Sequence, residues 1–421
     1  MFPLDRMLKS FIKRGELTVI DASGQRHVFS GSGMDGPDGE PLKPVLMRVH
    51  DTRLYHKLVF NPELNMGEAY MDGGVTFEEC STIRDFLVLF SANRYSLADL
   101  PIQKALYRVK MLLRKVQQSN RKGEAQKNVA HHYDIGNELY KLFLDKNLLY
   151  SCAYFRSASE SLEDAQRNKL RLIASKMDLK PGQRVLDIGC GWGDMALYLA
   201  QLEDVEVTGV TLSKEQQELA SRRAKEMGLD NRVRFELKDY RDVTGPFDRI
   251  VSIGMFEHVG VHHYDEFFDQ VNALMPDDGV MLLHSIGHMS PPGTASPWYR
   301  KYIFPGAYSP ALSEVFEVIE RKHLWCLDLE FLRLHYAYTL RHWCERFEKN
   351  RDKVVELYDE RFARMWEFYL ISAEMMFRTG SQHVFHMQLS RKRDAVPLQR
   401  DYIIDKQREY LAREKELDLV I

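Results

Sequence analysis

Residues 185–193 read VLDIGCGWG, a short apolar run that stops at three glycines spaced by single residues. The amphipathic stretch DMALYLAQLE follows at once, so the pattern predicts a strand, a tight turn and a helix. Glycine is needed where the backbone turns sharply or approaches a ligand closely, and the amino end of a helix offers free N–H groups. We therefore predict that Gly189, Gly191 and Gly193 belong to a cofactor-binding site.

The spacing of these glycines bears on the class of cofactor. Dinucleotide-binding folds use GxGxxG, followed by an acid about 20 residues later, whereas this chain has GxGxG. Methyltransferases that use S-adenosylmethionine also place a glycine turn after their first strand. Asp187, two residues before the first glycine, could hold an ammonium group. The tip of the second strand carries Thr211, Ser213 and Gln216, neutral groups that could bind ribose hydroxyls in place of the usual acid.

Predicted strands and helices alternate along residues 167–290. QRVLDIG, VEVTGVTLS, RVRFELKDY, FDRIVSIGM and GVMLLHSIG have the composition of strands, with helical stretches among them. Further along, HVFHMQLSRK has the pattern of a closing strand. Such alternation is typical of a parallel sheet with helices on both faces. The predicted fold class is therefore α/β and Rossmann-like, with its site at the carboxyl ends of the strands.

Two segments precede this α/β region. Residues 1–98 are predicted to form a small α+β domain, because GELTVIDASGQRHVF alternates like a hairpin and VTFEECSTIRDFLVLFSANR has helical spacing. Residues 99–128 form a linker whose basic stretch, 101–122, contains no acid and has the spacing of an amphipathic helix. Such a helix could lie on anionic lipid or dock on a neighbouring domain.

The remaining boundaries follow from composition. The catalytic domain is predicted at 129–395, and the aromatic stretch at about 295–380 is interpreted as a helical insertion suited to a long apolar ligand. Residues 396–421 are expected to form a charged, solvated helix at the carboxyl terminus.

Composition also limits the partners and the location of the protein. A net charge of −3 gives no reason to expect nucleic acid as a partner. The five cysteines lack CxxC spacing, which argues against a zinc site or a disulfide framework and fits a cytoplasmic environment. The charged amino terminus lacks a signal-peptide core, and no apolar run approaches the roughly 18 residues of a membrane span. His258, His262 and His263 lack a further ligand cluster, so no metal site is predicted.

Seven motifs occur in one order along the chain: YSCAYF (150–155), VLDIGCGWG (185–193), GVTLSKEQ (209–216), DYRD (239–242), FDRIVSIGMFEHVG (247–260), LLHSIG (282–287) and KYIFPG (301–306). This set resembles the cyclopropane-fatty-acyl-phospholipid synthases and the related mycolic acid methyltransferases. The match runs from about Asn61 to Ser390, and FNPELNMGEAYMDG is similar to the amino-terminal domain of the bacterial phospholipid synthases. The resemblance implies a class I S-adenosylmethionine-dependent methyltransferase domain with a helical insertion.

The resemblance also implies further cofactor-binding residues. Asp239 and Tyr240 follow the third strand, where an acid can accept a hydrogen bond from adenine and a ring can stack. Tyr150 and Ser151 are expected to reach the cofactor from an amino-terminal lid. Synthases of this family commonly continue GCGWG with another glycine, where this chain has Asp194. An acid suits the start of a helix, but it could also disturb the methionine carboxylate of the cofactor.

The implied reaction adds one methylene group from S-adenosylmethionine across a cis double bond of a phospholipid acyl chain. A proton must then leave the transferred carbon, and in this family a bound bicarbonate is thought to take it. The resemblance assigns the catalytic positions to Cys152, Glu257, His284, Tyr336 and the backbone of Ile286. Thiol, imidazole, phenol and amide groups are donors for such an anion, and Glu257 would accept the anion's O–H or orient His284.

Several alternatives remain open from the sequence. A related enzyme would leave a methyl branch or a methylene group instead of a ring, and a weaker alternative is methyl transfer to a small molecule. A non-catalytic lipid-binding protein on the same fold is the alternative outside enzymes. The expected substrate is membrane phospholipid, reached by peripheral contact with the anionic inner face of the cell membrane. A homodimer would bring two basic segments to one membrane.

Overall fold

The computed structural model describes residues 1–36, 39, 41–98, 104, 106, 111, 136–417 and 419. The basic helix predicted at 101–122 therefore lies, apart from three residues, outside the described part of the chain. The chain divides into two compact units. Unit 1 comprises the described residues of Met1–Gln117, Gly293–Pro305 and Leu340–Ser381, and unit 2 comprises those of Gln118–Pro292, Gly306–Thr339 and Gln382–Ile421.

Helices and strands are numbered separately in chain order. The described helices are α1 (Phe2–Phe11), α2 (Arg53–Phe60), α3 (Pro62–Met71), α4 (Ile83–Ala98), α5 (Asn137–Phe143), α6 (Leu162–Met177), α7 (Asp194–Leu202), α8 (Lys214–Glu226), α9 (Tyr264–Leu274), α10 (Pro297–Tyr302), α11 (Leu312–Arg321), α12 (His335–Lys349), α13 (Arg351–Leu357), α14 (Glu360–Arg378) and α15 (Asp401–Glu416). The described strands are β1 (Glu16–Ile20), β2 (Arg26–Ser30), β3 (Val45–Val49), β4 (Val75–Phe77), β5 (Arg184–Ile188), β6 (Glu206–Thr211), β7 (Val233–Leu237), β8 (Arg249–Ile253), β9 (Val280–His288), β10 (Trp325–Phe331) and β11 (Gln382–Ser390).

Unit 1 contains a four-stranded sheet with the strand order β2-β1-β3-β4. The predicted hairpin is confirmed, since β1 and β2 pair antiparallel. In its turn, the Asp21 carboxylate accepts hydrogen bonds from the N–H groups of Ser23 and Gln25, at 2.9 and 3.0 Å. This is the local bonding by which Asp initiates a turn. The helical spacing predicted after residue 75 is confirmed for α4, but Val75–Phe77 form strand β4 instead.

Two later segments of the chain complete unit 1, Gly293–Pro305 and Leu340–Ser381. Within the unit, α10 packs closely on α3: a Cβ atom at Gly67 would lie 2.3 Å from Nε1 of Trp298, so glycine is needed there. This division differs from the boundary that composition suggested at residue 98, because packing joins parts of the aromatic stretch to the amino-terminal residues.

Unit 2 is built on a seven-stranded sheet with the order β10-β11-β9-β8-β5-β6-β7. Strands β5 to β9 run parallel, as predicted, and β11 and β10 join them antiparallel. Strands such as β5 are buried apolar runs, the composition that a parallel sheet requires between two helical layers. From β5 the chain extends the sheet first through β6 and later through β8. The crevice at this reversal is where such sheets bind ligands.

Helices cover both faces of this sheet. Residues of α6, α7 and α8 form one buried cluster, and residues of α9 and α11 form another. Serine hydroxyl groups cap the amino ends of two of these helices. Ser161 accepts a hydrogen bond from the Asp164 N–H at the start of α6, and Ser213 accepts one from the Gln216 N–H at the start of α8. These caps set where each helix begins relative to the strands.

Two sequence interpretations need correction. Trp325–Phe331 form strand β10, although they lie in the stretch interpreted as a helical insertion, because pairing with β11 determines their conformation. The carboxy-terminal helix α15 is docked, not solvated: its residues Ile403, Tyr410 and Glu414 are buried. Because most residues of this helix are charged or polar, the sequence pattern does not reveal its few buried positions. Among the described helices, none is both long and apolar enough to cross a bilayer.

Candidate active site

Two adjoining clefts open at the carboxyl ends of β5, β6 and β8. The first has a volume of about 800 Å³ and the second about 530 Å³, and both are lined by Gly189, Gly191, Gln216 and Ile253. All predicted cofactor-binding residues except Gly193 and Ser213 line one or both clefts. The first cleft contains Thr211, Asp239 and Tyr240, and the second contains Tyr150, Ser151 and Asp187.

The three glycines of the turn have different neighbours. Gly189 has a φ of 80°, and a Cβ there would lie 2.8 Å from Cβ of Met255. At Gly191, φ is 54° and a Cβ would meet no atom within 4 Å, so this position faces the open cleft. At Gly193, φ is 90° and a Cβ would lie 2.6 Å from Cζ of Phe235. Gly193 therefore serves the packing of the turn and does not line either cleft.

Ser213 is the second predicted residue that does not line a cleft. Its hydroxyl caps α8, and its N–H donates to Oγ1 of Thr211 at 3.2 Å. Thr211 Oγ1 donates in turn to Oε1 of Gln216 at 2.8 Å. Ser213 thus orients the two neighbours that do face the cleft.

Asp239 is held by a residue that the sequence analysis did not select. Arg241 donates through Nε at 2.9 Å and through Nη2 at 2.7 Å to the two carboxylate oxygens of Asp239. Both residues line the first cleft with Tyr240, whose ring packs edge-on against Phe267. The motif DYRD contained this signal, because an acid and an arginine two residues apart can pair across a tight turn.

Asp187 lies at the base of the second cleft. Its side chain is buried, and Oδ2 has no hydrogen-bond partner among the described residues. Burial raises the pKa of its carboxyl group to about 7, with a further contribution from the charge of Asp194 and an opposing one from Lys169. A buried carboxylate without a partner is costly, so this site favours a cationic ligand group.

Lys169 lines the same cleft and was missed in the sequence. It is fully buried on α6, and Nζ donates to Oγ of Ser151 at 2.8 Å. Burial lowers the pKa of its ammonium group to about 8, opposed by the negative charges of Asp145 and Asp194. Helical spacing places Lys169 on the stripe of Leu162 and Ala165, which is the signal that could have found it.

Asp194 begins α7 beside this cleft and is paired. Its Oδ1 accepts a hydrogen bond from Nη2 of Arg223 at 2.7 Å, and Nη1 of Arg223 donates to the carbonyl of Trp192 at 2.9 Å. The arginine therefore balances the acid that occupies the expected glycine position. The negative charge of Asp194 still adds to the effect of burial in raising the pKa of Asp187.

A second group of residues surrounds Cys152. The thiol is fully buried, and burial raises its pKa well above the usual range, so it is protonated and donates to the carbonyl of Ala153 at 3.3 Å. The N–H of Ala153 donates to Oγ1 of Thr339 at 3.0 Å. Thr339 lies one turn after Tyr336 in α12, so this bond brings the YSCAYF segment to the part of the helix that carries Tyr336.

Glu257 follows β8 in a short 3-10 turn. Its Oε1 accepts a hydrogen bond from the Ile286 N–H at 2.6 Å, and Oε2 is buried without a partner in the part of the chain that the structure describes. Burial raises the pKa of its carboxyl group to about 7, opposed by the Ile286 N–H. The Ile286 N–H, which was expected to bind the anion, thus donates to Glu257. Strand β9 extends beyond the end of β8, and this extension contains Ile286.

The ring of His284 contacts that of His386, a residue that no sequence motif had indicated. The two residues are direct partners in the antiparallel pairing of β9 with β11, and Nδ1 of His284 lies 2.7 Å from Nε2 of His386. Burial lowers the pKa of both rings well below the usual value. The carboxylate of Glu257 is engaged by the Ile286 N–H, whereas His386 lies within hydrogen-bond distance of His284.

The chemistry of the clefts fits S-adenosylmethionine. Asp187 offers a carboxylate oxygen, Oδ2, that has no partner among the described residues and could bind an ammonium group. Lys169 offers an ammonium group for a carboxylate, and Gly191 leaves the turn open beside them. The adjoining apolar cleft has room for an adenosyl group. A parallel sheet with a glycine turn and this pair of clefts defines a class I S-adenosylmethionine-dependent methyltransferase.

Comparison with known proteins identifies the family. The family model for mycolic acid cyclopropane synthetase matches residues 120–387. The chain is 38% identical over 349 residues to the cyclopropane-fatty-acyl-phospholipid synthase of Escherichia coli K12, covering 83% of this chain and 88% of that one. It is 32% identical over 383 residues to the tuberculostearic acid methyltransferase of Mycobacterium tuberculosis, covering 87% and 88%.

Solved structures agree with this assignment. The mycolic acid cyclopropane synthase CmaA1, complexed with SAH and CTAB, has 34% sequence identity and a TM-score of 0.60, covering 63% of this chain and 98% of that one. The chain therefore belongs to the mycolic acid cyclopropane synthetase family. The predicted family and the predicted methyltransferase fold are confirmed.

Proposed function

We propose that this protein is a cyclopropane-fatty-acyl-phospholipid synthase, which delivers a methylene group from S-adenosylmethionine to the cis double bond of an unsaturated phospholipid acyl chain. The observation that carries the proposal is the charge-complementary cleft of Asp187 and Lys169 in a chain with this family membership. The Escherichia coli relative with the same named activity matches most of both chains, which supports the choice of reaction.

The residues of the two clefts would divide the cofactor between them. When bound, S-adenosylmethionine supplies a methyl group that its sulfonium activates for transfer. Asp187 would hold the α-ammonium group and Lys169 the α-carboxylate, since charge-assisted hydrogen bonds are the strong ones. Gln216 and Tyr240 line the cleft that would hold the adenosyl end.

A lipid substrate is supported by a separate observation in unit 1. This unit contains an apolar cavity of about 850 Å³, lined in part by Met66, Phe86, Trp298, Phe368 and Met375. Apolar cavities of this size suit hydrocarbon ligands. The related synthase CmaA1 was solved with CTAB, which carries a long alkyl chain.

Loss of a proton from the transferred carbon requires a base, and we propose that bicarbonate held near Glu257 and His284 supplies it. Oε2 of Glu257, which has no partner within the described ranges, is an acceptor for the anion's O–H, and the protonated thiol of Cys152 remains a donor. Tyr336 would add a phenol donor. The Ile286 N–H would have to be shared between Glu257 and the anion.

The activity is expected to rise with pH through about 7. The ionised carboxylate of Glu257 accepts the anion's O–H much more strongly than the protonated acid does. Burial raises the pKa of this carboxyl group to about 7, so the more effective form is lost as the pH falls below that value. The measurement is kcat against pH at constant bicarbonate and saturating cofactor. Glu257→Gln should lower kcat by about 100-fold, within the range for a lost acid–base group, and remove the step. A kcat that falls with rising pH would contradict this role.

Methyl-deuterated S-adenosylmethionine tests the reaction directly. The protein is incubated with vesicles of unsaturated phospholipid, and the released fatty acids are analysed by mass spectrometry. Retention of two of the three deuterium atoms is expected, since ring closure removes one hydrogen from the transferred methyl group. Retention of all three would indicate a methyl branch and overturn the assignment of a base. Absence of label in lipid, with the cofactor still bound, would point to a soluble acceptor.

The alternative product and the membrane contact are tested in the same experiment. A methyl-branched product is the second candidate, because a relative covering 87% of the chain is named a tuberculostearic acid methyltransferase.

We also propose that the protein contacts anionic membrane from the cytoplasm. Only the composition of residues 101–122 supports this contact. Greater turnover on vesicles with anionic lipid than on neutral vesicles is expected, and equal turnover would contradict it.

A further inference from the structure

A row of polar residues crosses the sheet of unit 2 behind the proposed base site. In the antiparallel register, Glu330 of β10 pairs with His386 of β11, and His386 pairs with His284 of β9. Residues paired directly across strands have their side chains on the same face. The register therefore lines up one carboxylate and two imidazoles.

Lys176 covers this row from α6. Its fully buried Nζ donates to Oε2 of Glu330 at 2.5 Å and lies 3.3 Å from Nδ1 of His386. A second carboxylate, that of Asp328, lies 3.7 Å away. Burial lowers the pKa of the Lys176 ammonium group, and the negative charges of Glu330 and Asp328 oppose that lowering. Two carboxylates beside Nζ favour the ammonium form. The result is a continuous chain of contacts from Glu330 through Lys176 and His386 to His284.

The donors and acceptors of this chain determine where the protons lie. An ammonium group has only donors, so Nδ1 of His386 accepts from Lys176. A neutral imidazole carries one proton, which in His386 must then lie on Nε2, and this N–H donates to Nδ1 of His284. His284 accepts at Nδ1, so its own proton lies on Nε2.

We propose that Lys176 and His386 are positioning residues that hold His284 as the Nε2–H tautomer, with that N–H available as a donor to the anionic base. The proposal rests on the proposed function, in which His284 helps to hold bicarbonate. The opposite tautomer would direct a lone pair at the anion, which would repel it. Burial lowers the pKa of His284, and the charges of Lys169 and Lys176 lower it further, which agrees with a neutral ring.

Three variants separate this role from simple support of the fold. His386→Leu removes the donor to His284, and we expect kcat to fall by about 10- to 100-fold, as when outer partners that orient a catalytic histidine are lost. His386→Gln keeps an amide N–H near the position of Nε2, and kcat should recover to within about threefold of the wild type. The KM for S-adenosylmethionine should be unchanged in both, because the cofactor clefts are not lined by His386.

Gln388→Leu is the matched control. Gln388 lies two residues along the same strand and face, is equally buried, and donates to the Lys176 carbonyl and, at 2.7 Å, to Oη of Tyr402. Its replacement should lower the melting temperature while kcat stays within about threefold of the wild type. A loss of kcat equal to that of His386→Leu would mean that any damage to β11 impairs the enzyme, and would overturn the proposal.

The tautomer itself can be read by nitrogen-15 NMR of histidine-labelled protein, with His284→Gln to assign the signal. We expect His284 to show a protonated Nε2 and an unprotonated Nδ1, and this pattern to be lost in His386→Leu. An Nδ1-protonated ring in the wild type would overturn the proposal. Because this readout needs no substrate, failure of the proposed function would appear separately, as absence of labelled lipid with the tautomer still present.

Discussion

Replacing Asp187 with asparagine is expected to raise the dissociation constant for S-adenosylmethionine by about 30-fold or more. Its buried Oδ2 lacks a hydrogen-bond partner in the described chain, so the carboxylate is held ready for a cation. Removing one member of a buried charged pair costs about 2–5 kcal/mol, and each 1.4 kcal/mol is about tenfold in affinity. Isothermal calorimetry with the wild type and the variant measures the change.

The stability of this variant should not fall, which separates binding from folding. Burial raises the folded pKa of Asp187 to about 7, above its usual value, so the folded state holds a proton that the unfolded state releases. This carboxyl group therefore destabilises the fold as the pH rises through that window, and the cost is fully present above about pH 7. Asparagine is neutral throughout, so the melting temperature at pH 8 should be unchanged or higher.

Asp194→Asn is the control for this experiment. Asp194 is an acid of the same cleft, but it is already paired with Arg223 at 2.7 Å. Its replacement should change the dissociation constant by less than about threefold, since the charge is balanced within the chain. Equal losses of affinity in the two variants would mean that the negative charge of the cleft, and not a specific contact of Asp187, binds the cofactor.

Replacing Glu414 with alanine is expected to destabilise unit 2 by about 3–5 kcal/mol, the cost of stranding a buried charge. Both carboxylate oxygens accept hydrogen bonds from Arg171, at 2.8 and 2.6 Å, and Oε1 also accepts from Oη of Tyr198 at 2.6 Å. Arg171 and Glu414 are both buried. At about 2–4 °C per kcal/mol for a domain of this size, the melting temperature should fall by about 10 °C.

Two further variants define what this loss means. Asp405→Ala breaks an exposed ion pair with Arg408 on the same helix, and it should change stability by less than about 1 kcal/mol. The double variant with Arg171→Met and Glu414→Leu removes both charges and should recover most of the stability. A double variant as unstable as Glu414→Ala would show that the loss comes from packing of α15 and not from the unpaired arginine.

Local patterns in the sequence were sufficient for the order of the elements in the sheet region. Apolar runs bounded by turns predicted β5 to β9, and the glycine spacing predicted the turn before α7, because these features depend on residues close together in the chain. The same holds for most of the cofactor cleft. Asp187, Gly189, Gly191 and Thr211 stand at the ends of strands, where parallel topology must bring them to one edge.

Other parts of the site depend on partners that are distant in the chain. Lys169 contacts Ser151, which lies on a different segment, and the pairing of Asp194 with Arg223 joins residues on two different helices. The composition of Trp325–Phe331 does not indicate a strand, since the conformation of β10 comes from hydrogen bonds to β11. The docking of α15 could not be predicted for a similar reason. Its buried Glu414 pairs with Arg171, which is distant in the sequence.

The sequence by itself determined the methyltransferase fold, the family and the cofactor-facing turn. Each of these depends on short motifs whose conformation is set by residues close together in the chain. Only the tertiary structure decided how those residues are paired. It joined Glu257 to Ile286, and it set His386 beside His284 through the register of two antiparallel strands. The physical reason is that register and burial are properties of the assembled sheet: they determine which polar groups lose water and must find partners, and residues far apart in the chain provide them.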